Sequence, residues 1–315
     1  MGAQRLSTTL TRALRHDPGR LSTLAADQAV DQRDALGALI SLHDLHLAPL
    51  DRLGDTVWLQ HDPDVVRLKR DLEADFLAHL HGLRDPSVHG RDAIDAMRRI
   101  ATRDLVPEAY EWLAHEADLV ELREFLAIEG GPDGGFDDLV AICQVGLSGI
   151  PKLVLGTNYW DEMGRGDPAA VHTELHRQLT QALDLPTVRL DDLPVEALER
   201  TALNGLLATN RALQPEMIGA LGLLELQAGP RCRRVLTALR RLGAPTAAFP
   251  FYEEHASADP RHGKDWLERG VRTYVDATPE LADRVVHGAL WRSDVNRRLF
   301  AAMHRRFACA TSCVV

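Results

Sequence analysis

Two histidines and an aspartate stand in the order H-x3-D-x2-H at His255, Asp259 and His262. On an α-helix, steps of four and three residues keep side chains within about 60° of one another, at about 100° per residue. Two imidazoles and a carboxylate on adjacent turns are competent ligands for one transition metal. N/O ligation of this kind suits iron, manganese or zinc, and a carboxylate-rich site with open positions favours iron. Pro260 lies inside the motif, removes a backbone hydrogen bond and crowds the carbonyl of Ala256, which predicts a kink or a helix end. The competing account is a polar helix end at the surface.

Further donors lie upstream. Glu162 closes an apolar stretch and is followed by Gly164-Arg165-Gly166 and Asp167-Pro168, with His172 beyond. Two helices meeting at such a turn can aim both groups at one point; the alternative is two solvated side chains. Glu225 sits in Met217-Ile-Gly-Ala-Leu-Gly-Leu-Leu-Glu225, an otherwise apolar run. A carboxylate there is costly unless paired or metal-bound, and Arg231 or Arg233 is the competing partner. Three carboxylates and three histidines are the inventory of a dinuclear non-haem iron site in a helical bundle. The ferritin-like Glu-x-x-His pair, H-E-x-x-H, P-loop and G-x-S-x-G motifs are absent.

The elements that must position these groups read as helices throughout. Residues 63–83 start on Pro63 with apolar residues at helical spacing. Further helices are expected over 91–103, 107–129 and 137–148, then from Pro151 to about Gly164. Asp167-Pro168 reads as an N-cap with proline at the first position. Helices over 194–210 and 215–228, the latter stopped by Gly229-Pro230, a short one ending at Gly243, and stretches over 251–276 and 279–307 complete an all-α chain. A soft division is expected near residue 90, with an N-terminal helical portion at 1–90 and a core bundle at 91–315.

Composition narrows the function classes. The chain has 315 residues, 45% hydrophobic and 26% charged, enough to bury a core without disulfides or structural metal. A net charge of −10 argues against wrapping a nucleic-acid backbone. No apolar run is long enough for a membrane span, and the N-terminal stretch lacks a signal-peptide apolar region. Four cysteines, Cys143, Cys232, Cys309 and Cys313, without paired close spacing, suggest a reducing, cytoplasmic compartment. Lys152, one of only three lysines, is a candidate anchor for a substrate carboxylate. His43, His46, His79 and His81 lie in the N-terminal portion and could chelate adventitious metal.

The chain resembles the haem-oxygenase-like diiron oxidases and oxygenases, the iron-containing redox enzymes. The resemblance rests on D-E-x-G-x-G-D-P-x-x-V-H at 161–172, the isolated Glu225, and H-x3-D-x2-H at 255–262, with NYWDEMG and RRLG at 240–243 in support. It covers roughly residues 105–305. It implies a haem-oxygenase-like helical bundle without haem. It also implies two iron ions held by Glu162, His172, Glu225, His255, Asp259 and His262, with Glu225 or Glu162 bridging. Glu129 is an added candidate ligand, with a helix-end or supporting role as the alternative. Tyr252, three residues before His255, is the candidate to touch substrate or oxygen, and Tyr159 and Trp160 are candidates to line the pocket. The implied chemistry is dioxygen-dependent oxidation of a small amine, amino-acid-like or carboxylic-acid substrate in specialised metabolism, with an external electron donor; a homodimer is the default expectation for assembly. The alternatives are a metal-free binding protein of the same fold, and a mononuclear enzyme using His255, Asp259 and His262 alone.

Overall fold

Capping residues and apolar spacing set the helices of the computed structural model, which describes residues 5–88, 90, 92–130 and 135–311, with side chains through 307. Side chains of Cys309 and Cys313, and the Gly131-Pro132 stop, lie outside the described residues. All regular structure among the described residues is helical, so the fold is all-α.

Two compact units divide the chain. The first comprises Met1–Arg84 and Leu190–Arg211, and the second Asp85–Arg189 and Ala212–Val315. In the first, α1 (Leu6–His16), α2 (Gln32–Leu47), α3 (Leu50–Leu53) and α4 (Pro63–Gly82) are joined by a helix from mid-chain, Val195–Thr209. The carboxylate of Asp34 accepts from the backbone N–H groups of Leu6 and Ser7 at 2.7 and 2.9 Å, closing the start of α1. Asp62 caps α4 through Asp64 N–H, with Pro63 at the first position. His43 is buried, its Nε2 2.9 Å from Glu73, so this histidine belongs to a core network.

The second unit carries α5 (Ala93–Arg103), α6 (Glu108–His115), α7 (Leu119–Gly130), α8 (Phe136–Cys143), α9 (Gly149–Glu162) and α10 (His172–Leu183). After Val195–Thr209, which is α11, come α12 (Gln214–Arg241), α13 (Pro250–Asp265), α14 (Arg272–Ala277) and α15 (Ala282–Thr311). The expected helix over 107–129 is two helices. Asp118 and Glu121 exchange backbone N–H bonds at 2.8 and 2.9 Å, a capping box that restarts the chain.

The expected stop at Gly229-Pro230 is likewise overturned, since α12 runs through Pro230. Buried Gln227 and Arg231 anchor both sides of the proline, reaching the carbonyls of Ala101, Asp104 and Leu105. Packing against neighbours overrides the local cost. α12 lies between α13 and α15. Its glycines permit that closeness: a Cβ on Gly219 would meet the carbonyl of Val285 at 1.8 Å. Trp266 is fully buried and seats on Gly222, donating from Nε1 to the Ile218 carbonyl at 3.1 Å. An indole of roughly 200 Å² so buried stabilises the unit by about 5 kcal/mol at ~25 cal/mol per Å².

Candidate metal centre

The buried end of α9 carries Asp161 and Glu162, both buried. Past it the chain reverses through Gly164, Arg165 and Gly166, with φ of 60°, 54° and 90°. A Cβ on Gly164 would stand 2.5 Å from the carbonyl carbon of Ala170, so glycine is required for the returning chain to come so close. The side chain of Asp167 accepts from Ala169 N–H at 2.9 Å and holds the turn. The helix expected from Pro168 therefore starts later, at His172. This return sets His172 Nδ1 2.7 Å from Glu162 Oε2.

A second close approach joins α12 to α13. A Cβ on Gly263 would lie 2.8 Å from the Glu225 carbonyl oxygen, and one on Gly229 would lie 3.0 Å from Cδ of Pro260. The two helices meet beside Glu225 and His262. Pro260 frees the Ala256 carbonyl, and Arg233 Nη1 donates to it at 3.3 Å. α13 consequently runs on through the proline. The irregularity expected there falls instead at a π-helical turn, Trp266–Val271.

Six of the expected donors fall into two groups, each with ligand atoms within 4.8 Å of one another: Glu162, His172 and His255, and Glu225, Asp259 and His262. The H-x3-D-x2-H motif is thus split, its first histidine facing one group and its last two members the other. His172 and His255 rings lie 4.5 Å apart. His262 Nδ1 stands 3.6 Å from Glu225 and 3.8 Å from Asp259. A single metal held by His255, Asp259 and His262 alone does not match this arrangement.

Hydrogen bonds fix which ring nitrogen is free. His255 Nδ1 lies 2.7 Å from the Phe251 carbonyl, which only accepts, so Nδ1 carries the proton and the Nε2 lone pair is available. His262 Nε2 lies 2.6 Å from Asp161 Oδ2, leaving the Nδ1 lone pair toward Glu225 and Asp259. Metal-bound histidines are oriented in this way by a carbonyl or carboxylate on the far nitrogen. Burial opposes ionisation of Asp161, but hydrogen bonds from His262 and Arg165 hold its carboxyl below the ordinary range.

The remaining electrostatics are unfavourable without a cation. Burial, then the charge of Glu162, pushes Glu225 up, and burial, then Glu225 and Glu162, pushes Asp259 up. Burial also lowers His255, with His172 adding to it against the pull of Glu162, which keeps the imidazole neutral as a ligand requires. Glu225 Oε2, Asp259 Oδ2, His262 Nδ1 and His172 Nε2 are buried without hydrogen-bond partners, and His172 Nδ1 approaches Glu162 without the angles of a hydrogen bond. The arginines weighed as partners of Glu225 point elsewhere: Arg231 to backbone carbonyls and Gln227, and Arg233 to Ala256. Among the described residues, the ion-pair partners of Glu162, Glu225 and Asp259 are histidines. Three buried acids facing imidazoles, with unpartnered ligand atoms converging, are the chemistry of a divalent-cation site.

The comparison with protein families agrees with that donor set: the model for the iron-containing redox enzymes matches residues 123–297, more than half of the chain. The chain belongs to this family. No curated protein matches it.

In this iron-containing redox enzyme, Glu129 lies outside both groups. Its Oε1 accepts from the Tyr110 hydroxyl at 3.0 Å. Tyr252 is 4% exposed and packs edge-on against Phe251 at 5.1 Å. Burial, then the charge of Glu129, pushes its phenol well up, so it stays protonated. Trp160 is exposed, its ring lying over Gly166, and Lys152 is exposed as well. Neither is part of the buried centre. Asp161 is the supporting residue that sequence reasoning missed. Its signal was present, since it stands beside Glu162 in the D-E-x-G-x-G motif, but nothing local says that it faces His262, one hundred residues away.

Proposed function

We propose that this enzyme is a dioxygen-dependent non-haem diiron oxidase or oxygenase acting on a small amine, amino-acid-like or carboxylic-acid substrate. The reading is carried by two adjoining groups of three ligands, all buried except the half-buried His255, one with two histidines and a carboxylate, the other with two carboxylates and a histidine. Glu162, His172 and His255 would hold one iron, and Glu225, Asp259 and His262 the other. Glu162 raises the pKa of both Glu225 and Asp259, and this proximity supports Glu162 or Glu225 as the bridging carboxylate. Ferrous ions, when bound, supply electrons to dioxygen, with an external donor restoring them.

The chain's own groups do the remaining work. Phe251 packs on His255 at 4.4 Å and, with Tyr252, keeps water from that side of the centre. The Tyr252 hydroxyl, held protonated, would donate a hydrogen bond to substrate or oxygen. Glu129, with Tyr110, offers a carboxylate to an amine substrate or a supporting contact to the centre. Three carboxylate ligands would offset three of the four positive charges that two divalent ions bring, and three histidines would complete the donor set.

Anaerobic titration of the iron-free protein with Fe(II) is expected to saturate near two ions per chain. Admission of oxygen should then produce a transient visible absorption. Saturation near one ion supports a mononuclear enzyme, and no uptake supports a metal-free binding protein; either result ends the diiron reading. Oxygen-consumption assays over panels of amines and acids then identify the substrate class.

A further inference from the structure

The end of α9 bears three buried polar side chains at helical spacing, Asn158, Asp161 and Glu162. Steps of three and four residues put them on one face. Glu162 belongs to the first group of ligands, beside His172 and His255. Asp161 faces a ligand of the second group, holding His262 through Nε2 at 2.6 Å. Asn158 is buried one turn earlier on the same face, and neither of its amide atoms has a hydrogen-bond partner.

Asp161 is itself braced from three sides. Arg165 Nη1 donates to its Oδ1 at 3.2 Å and Arg261 Nη2 to its Oδ2 at 3.0 Å, besides the bond from His262. Arg165 also reaches Glu254 on α13 at 3.1 Å. The guanidinium of Arg165 thus ties the left-handed turn after α9 to the helix that carries His255, Asp259 and His262. Arg261 is mostly exposed and Arg165 half so, so each surface pair alone is weak. The buried member, Asp161, is the one whose geometry matters.

We infer that Asp161 is a positioning residue for the second metal, so that α9 ligates one ion through Glu162 and orients a ligand of the other, His262, through Asp161. This inference rests on the two-iron reading above. Asp161 fixes the ring of His262 with Nε2 protonated and Nδ1 toward the ion. Asp161 itself touches no metal in this assignment. Removing such an outer partner ordinarily costs about 10–100-fold in metal affinity.

The experiment is anaerobic Fe(II) binding, followed by equilibrium dialysis, for wild type, Asp161→Ala and Asp161→Asn, with helicity and thermal unfolding measured on each iron-free protein. Wild type taking up two ions tests the parent reading separately. Given that, Asp161→Ala is expected to keep one ion at wild-type affinity and to weaken the other about 10–100-fold. Asp161→Asn, which still accepts from Nε2–H, should lose less, about 10-fold or under. Unchanged affinity for both ions in folded Asp161→Ala overturns the inference. Equal weakening of both ions in folded Asp161→Ala overturns it as well, since that would be a general loss of packing. If Asp161→Ala does not fold, Asp161→Asn decides by the same criterion of selective against uniform loss.

Discussion

Glu225→Gln separates stability from metal binding more cleanly than any other change at the centre. The native side chain is 4% exposed, one of its oxygens lacks a hydrogen-bond partner, and burial together with Glu162 and Asp161 works against its ionisation. Iron-free protein must either keep this charge beside other acids or bind a proton to remove it. Glutamine keeps the shape and removes the problem. Replacing a buried charged group by a neutral one of similar volume is neutral to stabilising by about 1–4 kcal/mol. Because other acids remain in the cluster, about 1–2 kcal/mol is the relevant part of that range. At about 2–4 °C per kcal/mol, the iron-free variant should unfold about 2–8 °C above wild type.

Iron reverses the order. A ligand at about 1,000 times its Kd stabilises the folded state by about 4 kcal/mol per site. The variant forfeits that gain at the second site. Set against its own advantage of about 1–2 kcal/mol, it ends about 2–3 kcal/mol below loaded wild type, or about 4–12 °C lower. Thermal unfolding with and without Fe(II), under anaerobic conditions, reads both halves. An iron-free variant that unfolds below wild type, or one that gains as much from iron as wild type does, would refute the reasoning.

Gly164→Ala should destabilise by about 1–3 kcal/mol, because its φ of 60° and the Ala170 backbone both exclude a Cβ. Urea unfolding measures this, and Fe(II) titration should show loss centred on the ion held by Glu162 and His172. Gly263→Ala forces α13 away from the Glu225 carbonyl at 2.8 Å, so it should cost about 1–3 kcal/mol and weaken the other ion; full iron content in a folded variant would refute the tight-contact argument. In the first unit, burial opposes ionisation of Glu73, yet bonds from His43, Lys69 and Asn210 hold it down to about 2 from 4.5. A depressed carboxyl contributes stability above the unfolded value of 4.5 that is lost as pH falls toward 2. Glu73→Gln should therefore lower stability at pH 7 and flatten the acid limb of a denaturation series, and an unchanged limb would exclude this network as its source.

Helix content and most helix starts were legible because they depend on local chemistry. Pro63 and Asp62 specify the start of α4 within a few residues of chain. The boundaries that failed depend on partners distant in sequence. Gly229-Pro230 reads as a stop, but Gly229 is where Pro260 of another helix seats, and flanking Gln227 and Arg231 grip carbonyls near residue 104. In the other direction, 107–129 reads as one helix because apolar periodicity continues across it, while the Asp118–Glu121 cap that divides it has no apolar signature. The six donors were legible as types and order. Asp161 stands in the D-E-x-G-x-G pattern, but its contact was not legible, because the ring it faces lies 101 residues further along the chain.

How those donors divide could not be read from spacing either. Helical geometry places His255, Asp259 and His262 on one side of α13, which by itself favours a single metal. Yet residues at the two ends of a seven-residue step stand about 10 Å apart along the axis, at 1.5 Å per residue, too far to share one ion without help. α9 and α10 meet the upper end with Glu162 and His172, and α12 meets the lower end with Glu225. Each end of the motif thus acquires its own partners. The step that makes the motif a poor single site makes it suited to a pair of ions, with Asp259 and His262 sharing one end and His255 serving the other.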